Sequence, residues 1–383
     1  MIVKYATCLA FLAGAAIASA QVNLPVFSFT FGTEGTNSGE FEGPVGLAIN
    51  TNGNVYVADE NNDRVQEFTS NGVYLAQWGG LGTNSGQFDR PFDLAIDTNG
   101  NIYVSDTFNN RIQKFASDGA FITQWGSLGS GAGQFDEPKG LGLDTAGNLY
   151  VSDEVNSRIE EFTSDGVFIK QFGNSGPNDT QVSSPRGLAV DLNGYIYVDD
   201  AGNHRITRYT DEGTFLTAWG SKGSGEGQFS SIGPIGIGLD NQGNVWVVDD
   251  GNNNVQAFTE NGGYLTQFGE AGTGPGQFGL PDRLIFDPIG KVLYVSDFNN
   301  NRVQVFNYSL PPTVIQTVGN AGKNFNFSWN TTPGNVYQVQ YARDLISSNW
   351  NNLITVTATN YSASAVDMIS TNSQRFYRVI QLP

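Results

Sequence analysis

Cysteine and histidine are almost missing. The 383 residues hold one of each, Cys8 and His204. Cys8 falls in an N-terminal leader, so the mature chain has no disulfide, no thiol nucleophile and no thiolate metal ligand. One histidine also excludes any multi-histidine zinc site. Basic residues are scarce: 19 against 37 acidic ones, a net charge of −18 with only 15% of residues charged. Residues 21–309 carry 14 basic and 35 acidic groups. Such a surface has little with which to neutralise a phosphate backbone, which argues against nucleic acid as a partner. Past the leader no apolar run is long enough to span a bilayer. What the chain does have is glycine, 48 residues, and 12% aromatics. That combination, at low charge, reads as an all-β protein with many turns.

The leader has the make-up of a signal peptide. Lys4 supplies a positive start, Cys8 to Ile17 an apolar stretch, and Ala18-Ser19-Ala20 a small-residue cleavage pattern. The expected product starts at Gln21 and is secreted or periplasmic.

Self-similarity sets the fold. Pro44, Pro91, Pro138, Pro185, Pro234 and Pro281 are spaced by 47, 47, 47, 49 and 47 residues. Within the second copy, short β runs at Leu94–Asp97, Ile102–Ser105, Arg111–Phe115 and Phe121–Trp125 are separated by Asn99-Gly100 and Asp118-Gly119. Such dipeptides accept the positive φ of tight hairpins. Four antiparallel strands per unit of this length make a propeller blade. The last unit has three strands before Pro311-Pro312 ends it. The segment Val26 to Phe31 has the pattern of a fourth strand without the preceding three. The expected fold is therefore a six-bladed β-propeller whose split sixth blade is closed by the N-terminal strand. The expected domains are a signal peptide (1–20), the propeller (21–309) and a C-terminal β-sandwich-like module (310–383). That module is read from runs at Phe325–Trp329, Tyr337–Tyr341, Leu353–Thr357 and Arg375–Ile380. It resembles modules on secreted bacterial proteins, through Tyr337 to Leu353 and the terminal Q-R-F-Y-R-V. Its Trp329, Tyr341 and Trp350 are read as core more than as a glycan-stacking face.

Two motifs carry a family resemblance. One is G-x-G-Q-F before the proline, as in Gly131 to Phe135, Gly225 to Phe229 and Gly274 to Phe278. The other is Y-V-x-D followed by N-x-R, as in Tyr103 to Asp106 with Asn109 and Arg111. On these the chain resembles NHL-repeat propellers over about residues 26–308. The once-per-blade acids Asp59, Asp106, Asp153, Asp200, Asp249 and Asp297 are read as scaffold. So are Arg64, Arg111, Arg158, Arg205 and Arg302, with Asn254 standing in blade five. The aromatics at Phe31, Trp78, Trp125, Phe172, Trp219 and Phe268 are read as packing between blades.

Function is expected where the copies differ on one rim of the channel. The segments after the prolines offer Phe92, Asp93, Lys139, Arg186, Asp282 and Arg283. The loops between second and third strands add Glu60, Glu154, His204 and Asp250, with Phe108 and Phe298. A concave mouth of mixed charge is a binding site by default, and solvated loop tips are the plain alternative. The leading expectation is a secreted scaffold binding protein, peptide or glycan at this mouth, with no cofactor expected and calcium as the one candidate. An alternative is a calcium-dependent hydrolase or lyase of the gluconolactonase-like kind. Acidic and amide oxygens are plentiful, but no spacing matches a calcium ligand set.

Overall fold

The computed structural model describes residues 22–176, 178, 180–287, 291–308, 315–321, 324–331, 335–342, 350–359, 362–368 and 376–381. The leader and Pro311-Pro312 lie outside the described residues. Leu24–Ser309 forms one compact unit, the propeller, and the residues from Leu310 onward belong to another.

Each blade is a four-stranded antiparallel sheet, and five of the six run in sequence order. Blade two, for example, comprises Pro91–Ile96, Ile102–Asp106, Arg111–Phe115 and Phe121–Trp125. First strands pack on one another around the ring, and Pro281–Phe286 meets Pro44–Ile49 to complete it. The sixth blade is split as expected. Val26–Phe31 pairs antiparallel with Arg302–Asn307, Phe31 opposite Val303 and Val26 opposite Asn307. Closure leaves the ring without an open seam along which another chain could pair.

First and second strands are buried along nearly their whole length, because each lies between neighbouring blades. Val55, Tyr56, Val57 and Ala58 are all buried. Fourth strands alternate, since only one of their faces meets the core. The aromatic ending each fourth strand packs on the following blade, as expected. Trp78 lies 5.9 Å from Phe115 and Trp125 lies 6.0 Å from Phe162. Trp78 also covers Gly119, whose φ of +81° and missing Cβ both suit the turn beneath the indole.

The repeated aspartate and arginine form an internal clamp. Asp106 Oδ2 accepts from Arg111 Nε (2.7 Å) and Gln113 Nε2 (2.9 Å), and Asn109 Nδ2 donates to the same carboxylate. Arg111 then reaches the loop arriving from blade one, donating to the carbonyls of Thr83, Asn84 and Gln87 at 2.8–3.0 Å. Arg64, Arg158, Arg205 and Arg302 repeat the arrangement with Asp59, Asp153, Asp200 and Asp297. A buried ion pair is costly unless its spare donors and lone pairs are occupied, and here the loop carbonyls occupy them. In blade five Asn254 replaces the arginine, and Asp249 keeps the contacts from a backbone N–H (Ser230) and the asparagine (Asn252) that the other blades also make.

The C-terminal unit has two three-stranded antiparallel sheets. In one, Asn324–Asn330 lies between Ile315–Ala321 and Ser362–Met368; in the other, Val336–Ala342 lies between Asn351–Thr357 and Phe376–Gln381. Ile315–Ala321 and Ser362–Met368 have no counterpart among the runs read from sequence, being polar and short of large apolar residues. Trp329, Tyr337, Val339 and Ala365 share one apolar cluster drawn from both sheets. Trp329 is fully buried, while Tyr341 and Trp350 are half-buried.

Two expectations follow. Deleting residues 22–31 should lower the thermal midpoint and broaden the unfolding of the propeller; an unchanged cooperative transition would refute closure by this strand. The second concerns Glu160, which stands where four other blades place glutamine (Gln66, Gln113, Gln256 and Gln304). Each of those glutamines donates Nε2 to the carbonyl of the incoming loop. Glu160 cannot donate when ionised, and its buried Oε2 finds no hydrogen bond. Burial pushes its carboxyl up from 4.5 to about 7. The native state therefore holds its proton longer than the unfolded chain, and this site loses stability as pH rises from about 4.5 to about 7. Glu160→Gln should stabilise by about 1–3 kcal/mol above pH 7, with the gain shrinking toward acid pH. Urea unfolding at both ends of that range checks it, and no gain at the alkaline end would refute it.

Candidate functional site

Crowding at the axis dictates what can stand two residues after each repeat proline, in or at the start of the first strand. That residue is Gly46, Gly140, Gly187 and Gly236 in four blades. A Cβ at any of the four would collide with the neighbouring blade's backbone or, at Gly187, with Asp199. The exceptions are Asp93 in blade two and Arg283 in blade six, and their side chains meet. Arg283 Nε lies 3.5 Å from Asp93 Oδ2, and Arg283 Nη1 lies 3.2 Å from Asp282 Oδ1. Nη1 also donates to the carbonyl of Ile235 in blade five. Asp93 Oδ2 accepts from Leu141 N of blade three at 3.0 Å. The pair thus ties four blades together and plugs the channel.

Asp199 completes this centre. Ser105, Ser152 and Ser296 occupy the equivalent place in three other blades. There the hydroxyl accepts the N–H of Asp93, Gly140 and Arg283 at 2.7–2.9 Å. In blade four that small neutral group becomes a carboxyl with no exposed surface and no hydrogen bond to either oxygen. Burial, with Asp282 and Asp93 nearby, pushes it well above the usual carboxylate range despite the opposing pull of Arg283. Arg283 is itself buried, which works against its charge. Asp93, Asp282 and Asp199 more than offset that and hold it cationic.

Above the plug sits a second ring of charge. Glu154 joins Arg186 (3.0 Å) to Lys139 (3.7 Å). Lys139 Nζ and the Arg283 guanidinium lie 4.2 and 4.8 Å from the centre of the Phe92 ring, within cation–π range. Glu60 pairs with Arg90 at 3.6 Å, and burial and Asp282 raise its carboxyl. Asp250 accepts only from Gly251 N, at 2.6 Å. Burial first and the Asp282 charge second push it up from 3.8 to about 7. Exposed Phe108, Val155 and Ile232 stand on the loops that carry this ring.

The structure brings together Glu60, Phe92, Asp93, Lys139, Glu154, Arg186, Asp250, Asp282 and Arg283, all expected from sequence. His204 is placed elsewhere. It takes the left-handed position (φ 55°) held by Asp63, Asn110, Ser157, Asn253 and Asn301 in the other blades. Asn110 there accepts the N–H of Glu137 in the next blade, and Asn253 that of Leu280. His204 shares that backbone position, but its buried Nδ1 accepts no hydrogen bond, so blade four lacks this link. Asp199 and Arg90 escaped the sequence reading. The signal for Asp199 was present, since Y-V-D-D replaces Y-V-S-D. Among the described residues no three acidic, histidine or cysteine side chains are grouped so as to hold a metal ion.

Asp250 gives a pH test. Its native state keeps a proton that the unfolded chain has released, so its contribution falls as pH rises from about 4 to about 7. Asp250→Asn should remove about one proton from the slope of stability against pH across that window. Glu60 and Asp199 leave a residual slope. Denaturant unfolding from about pH 4 to about pH 8 measures it, and an unaltered slope would refute the assignment.

Comparison with known proteins agrees with the architecture. An NHL repeat model matches residues 41–68 and 88–115, and a 6-bladed beta-propeller model matches 237–357. No curated protein matches the sequence. Among solved structures, a Bacteroides thetaiotaomicron protein of unknown function shares 16% identity and a TM-score of 0.59, over 76% of this chain and 84% of that one. A streptogramin B lyase shares 16% identity and a TM-score of 0.53, over 73% and 98%. At such identities the likeness is one of fold.

Proposed function

Starting from a six-bladed β-propeller that carries NHL repeats, we propose that the protein is an exported binding scaffold whose channel mouth receives a polypeptide presenting a basic group. The observation that carries this is the imbalance of the mouth. Lys139, Arg186 and Arg283 are each engaged with carboxylates, whereas Asp250 has no ion-pair partner among the described residues. Phe108, Val155 and Ile232 add exposed apolar surface on the same face, the mixture typical of a protein-binding patch. The leader motif supports export. No helix among the described residues is long and apolar enough to cross a membrane.

A second reading rests on the same carboxyl. A buried acid titrating near neutrality is suited to proton transfer, so a hydrolase or lyase acting on a small molecule at the mouth is the runner-up. The calcium-dependent form of it has no ligand grouping to rest on among the described residues.

A random peptide display library panned on the mature protein tests the first reading. Selected peptides should be enriched in lysine or arginine beside apolar residues and should weaken with added salt. Asp250→Asn should weaken them by about tenfold or more. Acidic selections, or binding indifferent to Asp250→Asn, would refute it. Turnover of a selected ligand, followed by mass spectrometry, would shift the assignment to the enzyme.

A further inference from the structure

Blade five keeps the acceptors of the clamp but not its cation. In the other five blades the arginine Nε donates to the repeat aspartate at 2.7–2.9 Å. The Nη atoms of Arg64 and Arg158 each donate to three carbonyls of the incoming loop at 2.6–3.0 Å. Gln77, Gln124 and Gln171 accept from the same guanidinium groups at 3.0–3.1 Å. The matching residues in blade five are Asp249, Ser224, Gly225, Gln228 and Gln267. Asn254 stands at the arginine position, and its side chain is too short to reach the loop.

The loop has not closed over this difference. Asn252 Nδ2 donates to Gly223 O at 2.9 Å, Gln256 Nε2 to Gln228 O at 2.7 Å, and Gly227 N to Gln256 Oε1 at 2.9 Å. The same three bonds in blade two measure 2.8, 2.7 and 2.9 Å. The acceptors are thus held where a guanidinium meets them elsewhere in the ring. Asp249 has no exposed surface and no ion-pair partner among the described residues. Asn254 is 7% exposed, and its Oδ1 is buried without a hydrogen bond. Buried acceptors with nothing to accept are costly, and here they converge. Ser224 and Gly225 are exposed, so the outer side of the set meets solvent.

We propose that blade five binds a guanidinium group supplied from outside the chain, in the place that an internal arginine holds in the other five blades. The group is the side chain of an arginine on a partner polypeptide or the head of a free guanidino compound. A guanidinium carries N–H donors in one plane on all three nitrogens, so it can serve these acceptors with its stem pointing to solvent. An ammonium is a compact point charge and cannot serve them as a fork. An anion would meet Asp249 and a ring of carbonyl oxygens. Glu226, exposed on the same loop, adds to the attraction for a cation.

This site is independent of Asp250, and its failure would leave the reading of the mouth untouched. The test titrates the mature full-length chain with ethylguanidinium and ethylammonium at constant ionic strength and concentrations too low to denature. Ethylguanidinium should bind saturably, at least about tenfold more tightly than ethylammonium, and raise the thermal midpoint. The side-chain amide resonances of Asn254 and Gln267 should shift with it. Asn254→Arg, which restores the residue of the other blades, should raise the midpoint without ligand and abolish the binding. Asp250→Asn should leave the binding unchanged. Acetyl-arginine-methylamide separates the two sources: affinity equal to that of ethylguanidinium assigns a polypeptide arginine, and its exclusion assigns a free guanidino compound. If Asn254→Arg does not fold, the amide shifts and the wild-type ratio still decide. Absence of saturable binding, equal affinity for the two cations, or binding that survives Asn254→Arg would overturn the proposal. Binding that survives Asn254→Arg and disappears in Asp250→Asn would place the cation at the mouth instead.

Discussion

The clamp between a buried aspartate, its arginine and the incoming loop is the interaction on which the propeller depends. An ion pair with its surroundings unsatisfied is a poor stabiliser, because taking both charges out of water costs about as much as their attraction returns. Here Asp106 accepts from four groups, counting the N–H of Asp89, and Arg111 spends its remaining donors on three carbonyls of the connecting loop. The pair therefore fixes the third strand, the turn before it and the segment that enters the blade. Without it the glycine-rich connections would have little to hold them, since their side chains are small and polar. A chain with a single cysteine can form no internal disulfide, and it can rely on such clamps because five of the six blades carry one and the ring is closed.

The second constraint is geometric. Six first strands converge on one axis, and the residues two after their prolines come so close that only glycine fits in four of them. The two blades that depart from glycine send in an acid and a base, which neutralise one another across the axis. Blade four adds Asp199 where serine is the repeated choice. These departures share one physical character: each places an ionisable group where the repeat specifies none. They turn a symmetric scaffold into one with a chemically distinct centre. The packing clusters, by contrast, follow the repeat from blade to blade.

The fold was legible because its determinants recur. A proline spacing, an Asn-Gly or Asp-Gly turn and an alternating fourth strand mean little alone. Six copies in phase leave few alternatives, and the split blade is visible as two complementary fragments at the ends of the array. The mouth residues were legible for the opposite reason, since Lys139, Arg186, Asp282 and Arg283 occupy positions whose neighbours in register are small or apolar. What could not be read was distance. Nothing in the spacing shows that Asp93 and Arg283, separated along the chain by four blades, meet at the axis. Nor does it show that Asp199 faces them while the adjacent Asp200 belongs to a clamp. His204 was misleading because rarity drew attention to it, while its backbone duty is shared with Asn and Asp elsewhere. The C-terminal unit was half legible because Ile315–Ala321 and Ser362–Met368 lack the large apolar residues that marked the other strands.

The acidic balance of the chain takes on a specific meaning once the cations are located. Arg64, Arg111, Arg158, Arg205 and Arg302 are committed to clamps, and Arg283 to the plug. Lys139 and Arg186 share Glu154, and Arg90 leans on Glu60. Few basic groups are left to answer the remaining carboxyls, so the excess negative charge is carried by the surface and by the mouth. Wall and floor then act together there: carboxylates such as Asp250 lie in a partly desolvated recess, where a field is screened less than on open surface. The same burial that raises their affinity for a proton raises their affinity for any other cation that can reach them. A basic side chain delivered by a partner competes for the sites that protons occupy at lower pH, so binding at the mouth and titration of Asp250 are two measures of one local potential.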